Sequence, residues 1–208
     1  MNRLDFLAES IRACEKCKLC LEPGQAVPGE GWVGGSWMLV GEAPGRDEAR
    51  VGRPFVGASG RRLDVLIGVS GLKRERMWVT NLVKHRPPNN RTPLQAEVKA
   101  CKSWLEQEIG LINPLWIVTL GVSAMKGVCG KENLEREHGK GRVVTLKFPS
   151  RECTVMVVPM YHPASAFRKP SLWEVMVGDW TGLADTEVIK QEVRYQLGTE
   201  QEVMEILE

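Results

Sequence analysis

The chain has 208 residues and a formal net charge of +2 at pH 7, and hydrophobic residues make up 43% of it. This length predicts one globular domain with a short appendage, and the hydrophobic share is sufficient for a packed core. No stretch approaches the roughly 20 apolar residues that a membrane-spanning helix needs. Residues 1–12 include Asp5 and Glu9 and lack the apolar run of a signal peptide. We therefore expect a cytoplasmic protein without a membrane anchor.

The charges are unevenly distributed along the chain. Residues 184–208 contain seven acidic and two basic residues, which leaves a surplus of basic residues in the remainder. The basic residues concentrate in Lys84–Arg91, Arg136–Arg142 and Arg168–Lys169. A basic body can attract phosphate backbones, although a solvated surface would have the same composition. The sequence thus predicts a domain over residues 1–183 and an acidic helical tail over 184–208.

Short apolar runs alternate with helical patterns along the chain. Four runs are typical of strands buried on both faces: Trp37–Val40, Met77–Thr80, Trp116–Leu120 and Val155–Pro159. The spacing of apolar residues predicts helices over Gly60–Ile67 and Thr92–Ile109, and Pro93 is a plausible start of the second. The Gly- and Pro-rich segment Pro23–Ser36 is predicted to be a loop. Strands that alternate with helices indicate an α/β fold with a parallel sheet.

Each predicted strand ends at a polar or Gly-rich turn. Glu42, Asn81 and His162 follow the first, second and fourth strands, and Gly121 follows the third. Taken alone, Glu42 would be a helix cap, Asn81 a turn residue and His162 a surface imidazole. In open parallel sheets, however, ligands bind beyond the carboxyl ends of the strands. Convergence of the three side chains at one edge of the sheet therefore favours a functional cleft.

Cysteines near the N-terminus predict a metal site. Cys14, Cys17 and Cys20 are separated by two residues each, and Cys101 lies on the helix predicted after the second strand. A Cys-x2-Cys turn lets two thiolates reach one metal. A thioredoxin-like redox pair is the alternative, but it should follow a strand, and none is predicted before Cys14. The cysteines alone leave zinc and an iron–sulfur cluster open.

Five short motifs stand in order along the chain: Gly41–Glu48 (GEAPGRDE), Gly52–Gly57 (GRPFVG), Thr80–Lys84 (TNLVK), Arg86–Pro93 (RPPNNRTP) and His162–Ala164 (HPA). In order and spacing they resemble the family 4 uracil-DNA glycosylases. The resemblance extends from about Cys14 to Leu183. It implies a three-layer α/β sandwich with a four-stranded parallel sheet flanked by helices, and a [4Fe-4S] cluster. It also implies excision of uracil from DNA by hydrolysis of the N-glycosidic bond.

The resemblance implies a role for each residue of the predicted cleft. Glu42 would position or activate the water that attacks C1′, and His162 would donate to uracil O2. Phe55 would stack on the flipped base, and Asn81 would recognise its edge. Glu48 would crowd uracil C5 and help to exclude thymine, with a surface carboxylate as the alternative. Two residues would line the pocket with their backbone, Gly41 and Ala43.

The resemblance also implies DNA contacts. Five basic residues would contact phosphates: Lys84, Arg86, Arg91, Arg168 and Lys169. In the loop after His162, Phe167 or Arg168 would fill the gap that the extruded base leaves, with an ordinary exposed loop as the alternative. We expect a monomer that acts on single- or double-stranded DNA.

The sequence departs from the family at one cluster ligand. Relatives commonly have Cys where this chain has His85. His85 would complete a ligand set with Cys14, Cys17 and Cys101, as histidine does on one iron of Rieske centres. Cys20 is the alternative fourth ligand. A related uracil-trapping branch shares the histidine but has an inserted basic loop with a DNA-linking histidine, and residues 86–92 contain no His. Ordinary turnover is therefore expected.

Two other functions are compatible with the sequence. A non-catalytic, cluster-stabilised nucleic-acid-binding module would keep the basic body and the cysteines but lack the chemistry. A redox protein would use the cluster for electron transfer. Excision of uracil from a labelled oligonucleotide distinguishes the enzyme from both.

Overall fold

The computed structural model describes residues 2–131, 133–148 and 151–183; the predicted acidic tail, residues 184–208, lies outside these ranges. The strands are β1 (Glu30–Gly31), β2 (Trp37–Gly41), β3 (Met77–Asn81), β4 (Trp116–Leu120), β5 (Arg142–Phe148) and β6 (Arg151–Met160). The helices are α1 (Arg3–Arg12), α2 (Arg46–Val51), α3 (Ala58–Val69), α4 (Gln95–Ile112), α5 (Val122–Cys129), α6 (Leu134–Glu137), α7 (Ser165–Arg168) and α8 (Leu172–Gly182). Within the described ranges, no helix combines the length and the apolar character needed to cross a membrane.

The strands form one mixed sheet in the order β1-β3-β2-β4-β6-β5. β2 pairs in parallel with β3 and β4, and β4 pairs in parallel with β6. The four predicted strands are these central parallel ones, so the α/β class is confirmed. The strand count was too low, because β1 and β5 add an antiparallel strand at each edge.

Both edge strands lack the buried apolar run that marks the central ones. β1 has only two residues and lies in the Gly- and Pro-rich segment that was predicted to be a loop. A Cβ at Gly31 would overlap the backbone of Met77 on β3, so this approach needs a glycine. β5 (RVVTLKF) is mostly half-buried and pairs with β6 as a hairpin.

The central strands are covered on both faces. Leu39 and Val79 belong to a core cluster with residues of α3 and α8, whereas Met38 and Trp78 belong to a cluster with residues of α4. Alternate residues of one strand thus pack against different helices. The architecture is the predicted three-layer sandwich, and α1 packs on the outer side of α4.

The structure shifts one predicted boundary. Helix α4 begins at Gln95, so Pro93 is not its first residue and the predicted start at Thr92 is wrong. The physical reason is a side-chain cap, because Glu97 Oε2 accepts a hydrogen bond from the Leu94 backbone N–H at 2.7 Å. The residues before Leu94 are left free to form the loop at the carboxyl edge of the sheet.

Candidate active site

The carboxyl ends of the parallel strands open into a cavity of about 660 Å³. Glu42, Asn81 and His162 lie together around this cavity, and Phe55 lines it as well. The pairing of Gly41 with Asn81 brings the ends of β2 and β3 to the same level. Ligands bind at this edge in open parallel sheets.

Asn81 and Phe55 approach each other beside Gly41. A Cβ at Gly41 would overlap both side chains, so glycine is required there. Gly41 is not itself a lining residue of the cavity, and its contribution is the space it leaves, whereas Ala43 lines the cavity as expected. Asn81 is 2% exposed, and its Oδ1 has no hydrogen-bond partner within the described part of the chain. An unpaired buried acceptor costs roughly 1–3 kcal/mol, which a ligand donor would offset.

The His162 imidazole is held as a neutral hydrogen-bond donor. Its Nδ1 accepts a hydrogen bond from the Ala164 backbone N–H at 3.1 Å, so the ring proton resides on Nε2. Burial lowers the pKa of His162 to about 4, and the positive charge of Arg168 acts in the same direction. The ring centroid lies 6.0 Å from that of Phe55. At neutral pH, Nε2–H can donate to an oxygen atom of a bound ligand.

The Glu42 carboxylate is oriented by a hydroxyl group. Ser123 Oγ donates to Glu42 Oε2 at 2.5 Å. Ser123 lies in the first turn of α5, where the helix N-terminus favours a negative charge. The backbone N–H of Val83 donates to the Glu42 carbonyl at 3.2 Å, which fixes the residue beside the end of β3. Ser123 was not predicted from the sequence; its only signal there is its position two residues after Gly121, beyond the end of the third predicted strand.

Glu48 links two loops beside the cavity. It is 8% exposed, so the alternative of a surface carboxylate is wrong. Its Oε2 accepts from the Gly45 backbone N–H at 3.1 Å and its Oε1 from the Gly57 N–H at 2.8 Å. These two amides compensate for the burial of the carboxylate. Glu48 also lines the cavity, so its contact with a base stays a prediction.

Lys84 does not lie where a phosphate could reach it. Its side chain is 0% exposed, and Nζ lies 2.7 Å from Glu108 Oε2 on α4. The same Nζ donates to Thr80 Oγ1 at 2.7 Å and to the Asn81 carbonyl at 2.8 Å. The predicted DNA contact of Lys84 is therefore wrong, because the ammonium group is enclosed behind β3. Through its bond to the Asn81 carbonyl, Lys84 supports the residue that lines the cavity.

A second cavity, of about 860 Å³, lies against the N-terminal cysteines. Its lining includes Cys14, Cys17, Cys20 and His85. His85 is 7% exposed, and its Nδ1 has no hydrogen-bond partner among the described residues. Burial lowers the pKa of His85, which keeps the imidazole neutral and able to act as a metal ligand.

Cys101 on α4 lies close to the same thiols. Burial raises its pKa to about 11; a backbone hydrogen bond involving Lys84 acts against this rise, and charges on Cys17 and Cys14 add to it. Cys14 Sγ accepts a hydrogen bond from Trp104 Nε1 at 3.1 Å. Cysteines bind metals as thiolates, so a bound cation would offset the rise in pKa that burial causes. Within the described residues, no three His, Cys, Asp or Glu side chains converge tightly enough for a single metal ion.

Comparison with known proteins decides the family. The family model described as "Uracil DNA glycosylase superfamily" matches residues 28–180. The chain belongs to this superfamily. The Type-4 uracil-DNA glycosylase of Sulfurisphaera tokodaii is 39% identical over 192 residues, 90% of this chain and 86% of that protein. The protein of the same name from Saccharolobus solfataricus is 41% identical over 86% of this chain and 84% of its own length. That from Archaeoglobus fulgidus is 37% identical over 89% of this chain and 94% of its own length. The family resemblance of the motifs is thus confirmed.

In this member of the uracil-DNA glycosylase superfamily, the predicted phosphate contacts other than Lys84 lie at or near the cavity. Arg86, Arg91 and Arg168 line it, and Lys169 is exposed next to Arg168 in the sequence. Arg91 is not a free cation, because its guanidinium forms hydrogen bonds of 2.9 and 2.6 Å to the two oxygens of Glu97. The hydrogen bond to Glu97 raises the pKa of Arg91. Arg168 and Lys169 are the more accessible charges.

Phe167 projects from α7 near the cavity. It is 50% exposed. The guanidinium carbon of Arg62 lies 3.8 Å from the centroid of its ring, within cation–π distance. The ring therefore has a defined partner on α3 while it remains accessible to a ligand.

Proposed function

We propose that this chain flips uracil out of DNA and hydrolyses its N-glycosidic bond, leaving an abasic site. The observation that carries the proposal is the unpaired Asn81 Oδ1, buried beside Phe55 in a cavity that also contains Glu42 and His162. The printed name of the relatives, uracil-DNA glycosylase, supports the same reaction. DNA is therefore the substrate, and the chemistry is that of a monofunctional glycosidic hydrolase.

Asn81 recognises uracil through both ends of its carboxamide. Oδ1 accepts from uracil N3–H, and Nδ2 donates to O4. Cytosine presents the reverse pattern, an acceptor at N3 and a donor at N4, so it would leave both polar ends of Asn81 mismatched. Phe55 stacks on the flipped base and replaces part of the stacking that extrusion removes. Ala43 and Glu48 contribute further contacts to the base from the adjacent loop.

Glu42 and His162 act on the two sides of the bond that breaks. Glu42, held by Ser123, orients or activates the water that attacks C1′ and stabilises the positive charge that develops on the sugar. The His162 Nε2–H donates to uracil O2 as negative charge accumulates on the leaving base. The pKa of about 4 keeps this ring neutral at physiological pH, and a neutral donor suffices.

The DNA backbone is held by the accessible cations at the rim of the cavity. Arg168 and Lys169 provide the exposed charges, and Arg86 and Arg91 extend the same basic surface. Arg86 is held by a hydrogen bond to Asn90, and Arg91 by one to Glu97. Phe167, supported by Arg62, inserts into the space that the extruded nucleotide leaves.

The cysteine cavity would hold a [4Fe-4S] cluster. Cys14, Cys17, Cys101 and His85 are the proposed ligands, and Cys20 lines the same cavity as the alternative to His85. The unpaired buried Nδ1 of His85 favours the histidine. Bound there, the cluster would cross-link the N-terminal segment, the turn after β3 and α4.

A single-turnover assay on a labelled oligonucleotide with one uracil tests the proposal. We expect an abasic product from single-stranded, U:G and U:A substrates. Glu42→Gln and His162→Ala should each lower the rate by about 10²-fold or more, a typical loss for one catalytic contact. Circular dichroism provides the folding control. DNA binding without abasic product would instead identify a non-catalytic binding module.

A further inference from the structure

The proposed stacking residue has an unusual backbone conformation. Phe55 has a φ of 53°, in the left-handed region that bulky residues rarely adopt. Such a conformation costs roughly 1–3 kcal/mol and persists only where the surroundings hold it. Phe55 is also 6% exposed, so neighbouring groups enclose most of its side chain.

Arg74 contacts this strained turn through its guanidinium group. Nη1 donates to the Phe55 carbonyl at 3.2 Å, and Nη2 donates to the Pro54 carbonyl at 2.9 Å. Nη1 also lies 2.7 Å from Asp64 Oδ1 on α3. Because the donors of a guanidinium form a rigid planar fork, these bonds fix the direction of two successive carbonyl groups.

Helix α3 restrains the same peptide group from another direction. A Cβ at Gly60 would overlap the Phe55 carbonyl, so the helix backbone and this carbonyl are in close contact. The Phe55 carbonyl is therefore held by Gly60 and Arg74 together. Arg74 itself lies in the short helical turn Arg74–Arg76 that leads directly into β3, the strand that ends at Asn81.

We propose that Arg74 is a positioning residue for uracil excision. It holds Phe55 in the left-handed conformation that presents the ring to the flipped base. Arg74 is not among the residues that line the cavity, so it acts through Phe55. The inference rests on the proposed stacking role of Phe55 and extends it to a residue outside the site.

The test begins with Arg74→Met, which removes the donors and keeps an apolar side chain. The maximal single-turnover rate should fall about tenfold, the effect expected for losing a charged hydrogen-bond donor. The DNA concentration at half-maximal rate should stay near that of the wild type. Arg76→Met is the matched control, because Arg76 is exposed in the same turn and packs against Trp32 instead. It loses the same charge and should keep the wild-type rate.

Two further variants separate positioning from general stability. Arg74→Lys keeps the charge beside Asp64 but lacks the fork, so it should lose rate as Arg74→Met does. Asp64→Asn keeps both carbonyl bonds and should remain close to wild type. Thermal unfolding of each variant verifies that the protein measured is folded, and Arg74→Lys serves where Arg74→Met does not fold.

A double-mutant cycle with Phe55→Ala gives the decisive result. If Arg74 acts through Phe55, the arginine substitution should add little to the loss that Phe55→Ala already causes. If Phe55→Ala lowers the excision rate and the Arg74 substitution lowers it by its full factor again in the double variant, the inference is overturned. The stacking role of Phe55 then remains intact. A wild-type rate in Phe55→Ala overturns both. A wild-type rate in Arg74→Met and Arg74→Lys overturns the inference alone.

Discussion

At the scale of single residues, base choice depends on the orientation of one carboxamide. Asn81→Asp replaces the Nδ2 donor with an oxygen that can only accept. We expect weaker preference for uracil and measurable excision of cytosine, because cytosine N4 can donate to the carboxylate. The measurement compares uracil and cytosine in otherwise identical oligonucleotides. Asn81→Ala, which removes both polar atoms, is the control that should not gain cytosine activity. Unchanged discrimination in Asn81→Asp would mean that another group recognises the base.

His162 makes stability dependent on pH with a defined sign. Its pKa is about 4 in the folded protein, mainly because of burial, and near 6.5 in an unfolded chain. Between these values the unfolded chain binds a proton that the folded one does not. The contribution to stability is therefore fully present above about pH 6.5 and is lost as the pH falls towards 4. Urea titrations should show a larger loss between about pH 7.5 and pH 5 for the wild type than for His162→Asn. Equal losses would contradict this account.

His85 is predicted to be the fourth ligand of the cluster. Its Nδ1 is buried without a partner among the described residues, whereas Cys20 offers the softer donor in the same cavity. After anaerobic purification, His85→Ala should lose iron and visible absorbance, and Cys20→Ala should retain both. A histidine ligand should also give a higher reduction potential than a set of thiolates alone. Retention of the cluster in His85→Ala with its loss in Cys20→Ala would reverse the assignment.

The sequence identifies some site residues and conceals others for a physical reason. Glu42, Asn81 and His162 are recognisable because each lies at or just after the carboxyl end of a strand, and parallel strands end at one edge. Ser123 and Arg74 act through hydrogen bonds to residues distant in sequence, and no local pattern encodes those contacts. The family resemblance indicated which positions carry the site residues, but not which side chains form hydrogen bonds to them.

At the scale of elements, β3 and the turn after it have a buried ion pair behind them. Lys84→Met would leave the Glu108 carboxylate enclosed without its cation, at a cost of about 3–5 kcal/mol in the free energy of unfolding. Urea denaturation measures this loss. Lys84→Met/Glu108→Gln should recover part of it, because the charge is removed together with its partner. If Lys84 contacted phosphate, Lys84→Met would instead keep its stability and lower the salt dependence of DNA binding by about one unit.

The elements that the sequence predicted well are those whose formation depends mainly on one property of the local sequence. The central strands are buried on both faces, so their sequences are continuous apolar runs. β5 is half-exposed, and β1 forms because Gly31 can approach Met77, a tertiary contact that the local sequence does not show. The start of α4 was misjudged because the Glu97 cap outweighed the preference of Pro93 for a first turn.

At the scale of the whole molecule, the segment from Asn81 to His85 connects the two cavities. Asn81 lines the cavity that holds the proposed base site, and His85 lines the cysteine cavity. Lys84, between them, bonds to the Asn81 carbonyl and to Glu108 on α4, the helix that contains Cys101. If the proposed cluster is bound, we expect its loss to disturb the base site, because Lys84 links the segment next to His85 to the Asn81 carbonyl and to α4.

The acidic segment 184–208 should be dispensable for excision. The family match ends at residue 180, and the last described residue, Leu183, is 2% exposed within the core that includes α8. Truncation after Leu183 thus leaves that core intact and removes seven acidic residues. We expect unchanged excision rates and equal or tighter DNA binding at low salt, because acidic residues repel phosphates.

The matched control for this truncation is a chain that ends at Gly178. It removes Trp180, which is 0% exposed in the same core, and should therefore unfold. Excision rate, DNA affinity at low and high salt, and thermal unfolding are measured for both truncations and the full chain. The affinity gain should disappear at high salt, where charges are screened. A chain ending at Leu183 that is folded but inactive would show that residues 184–208 take part in catalysis.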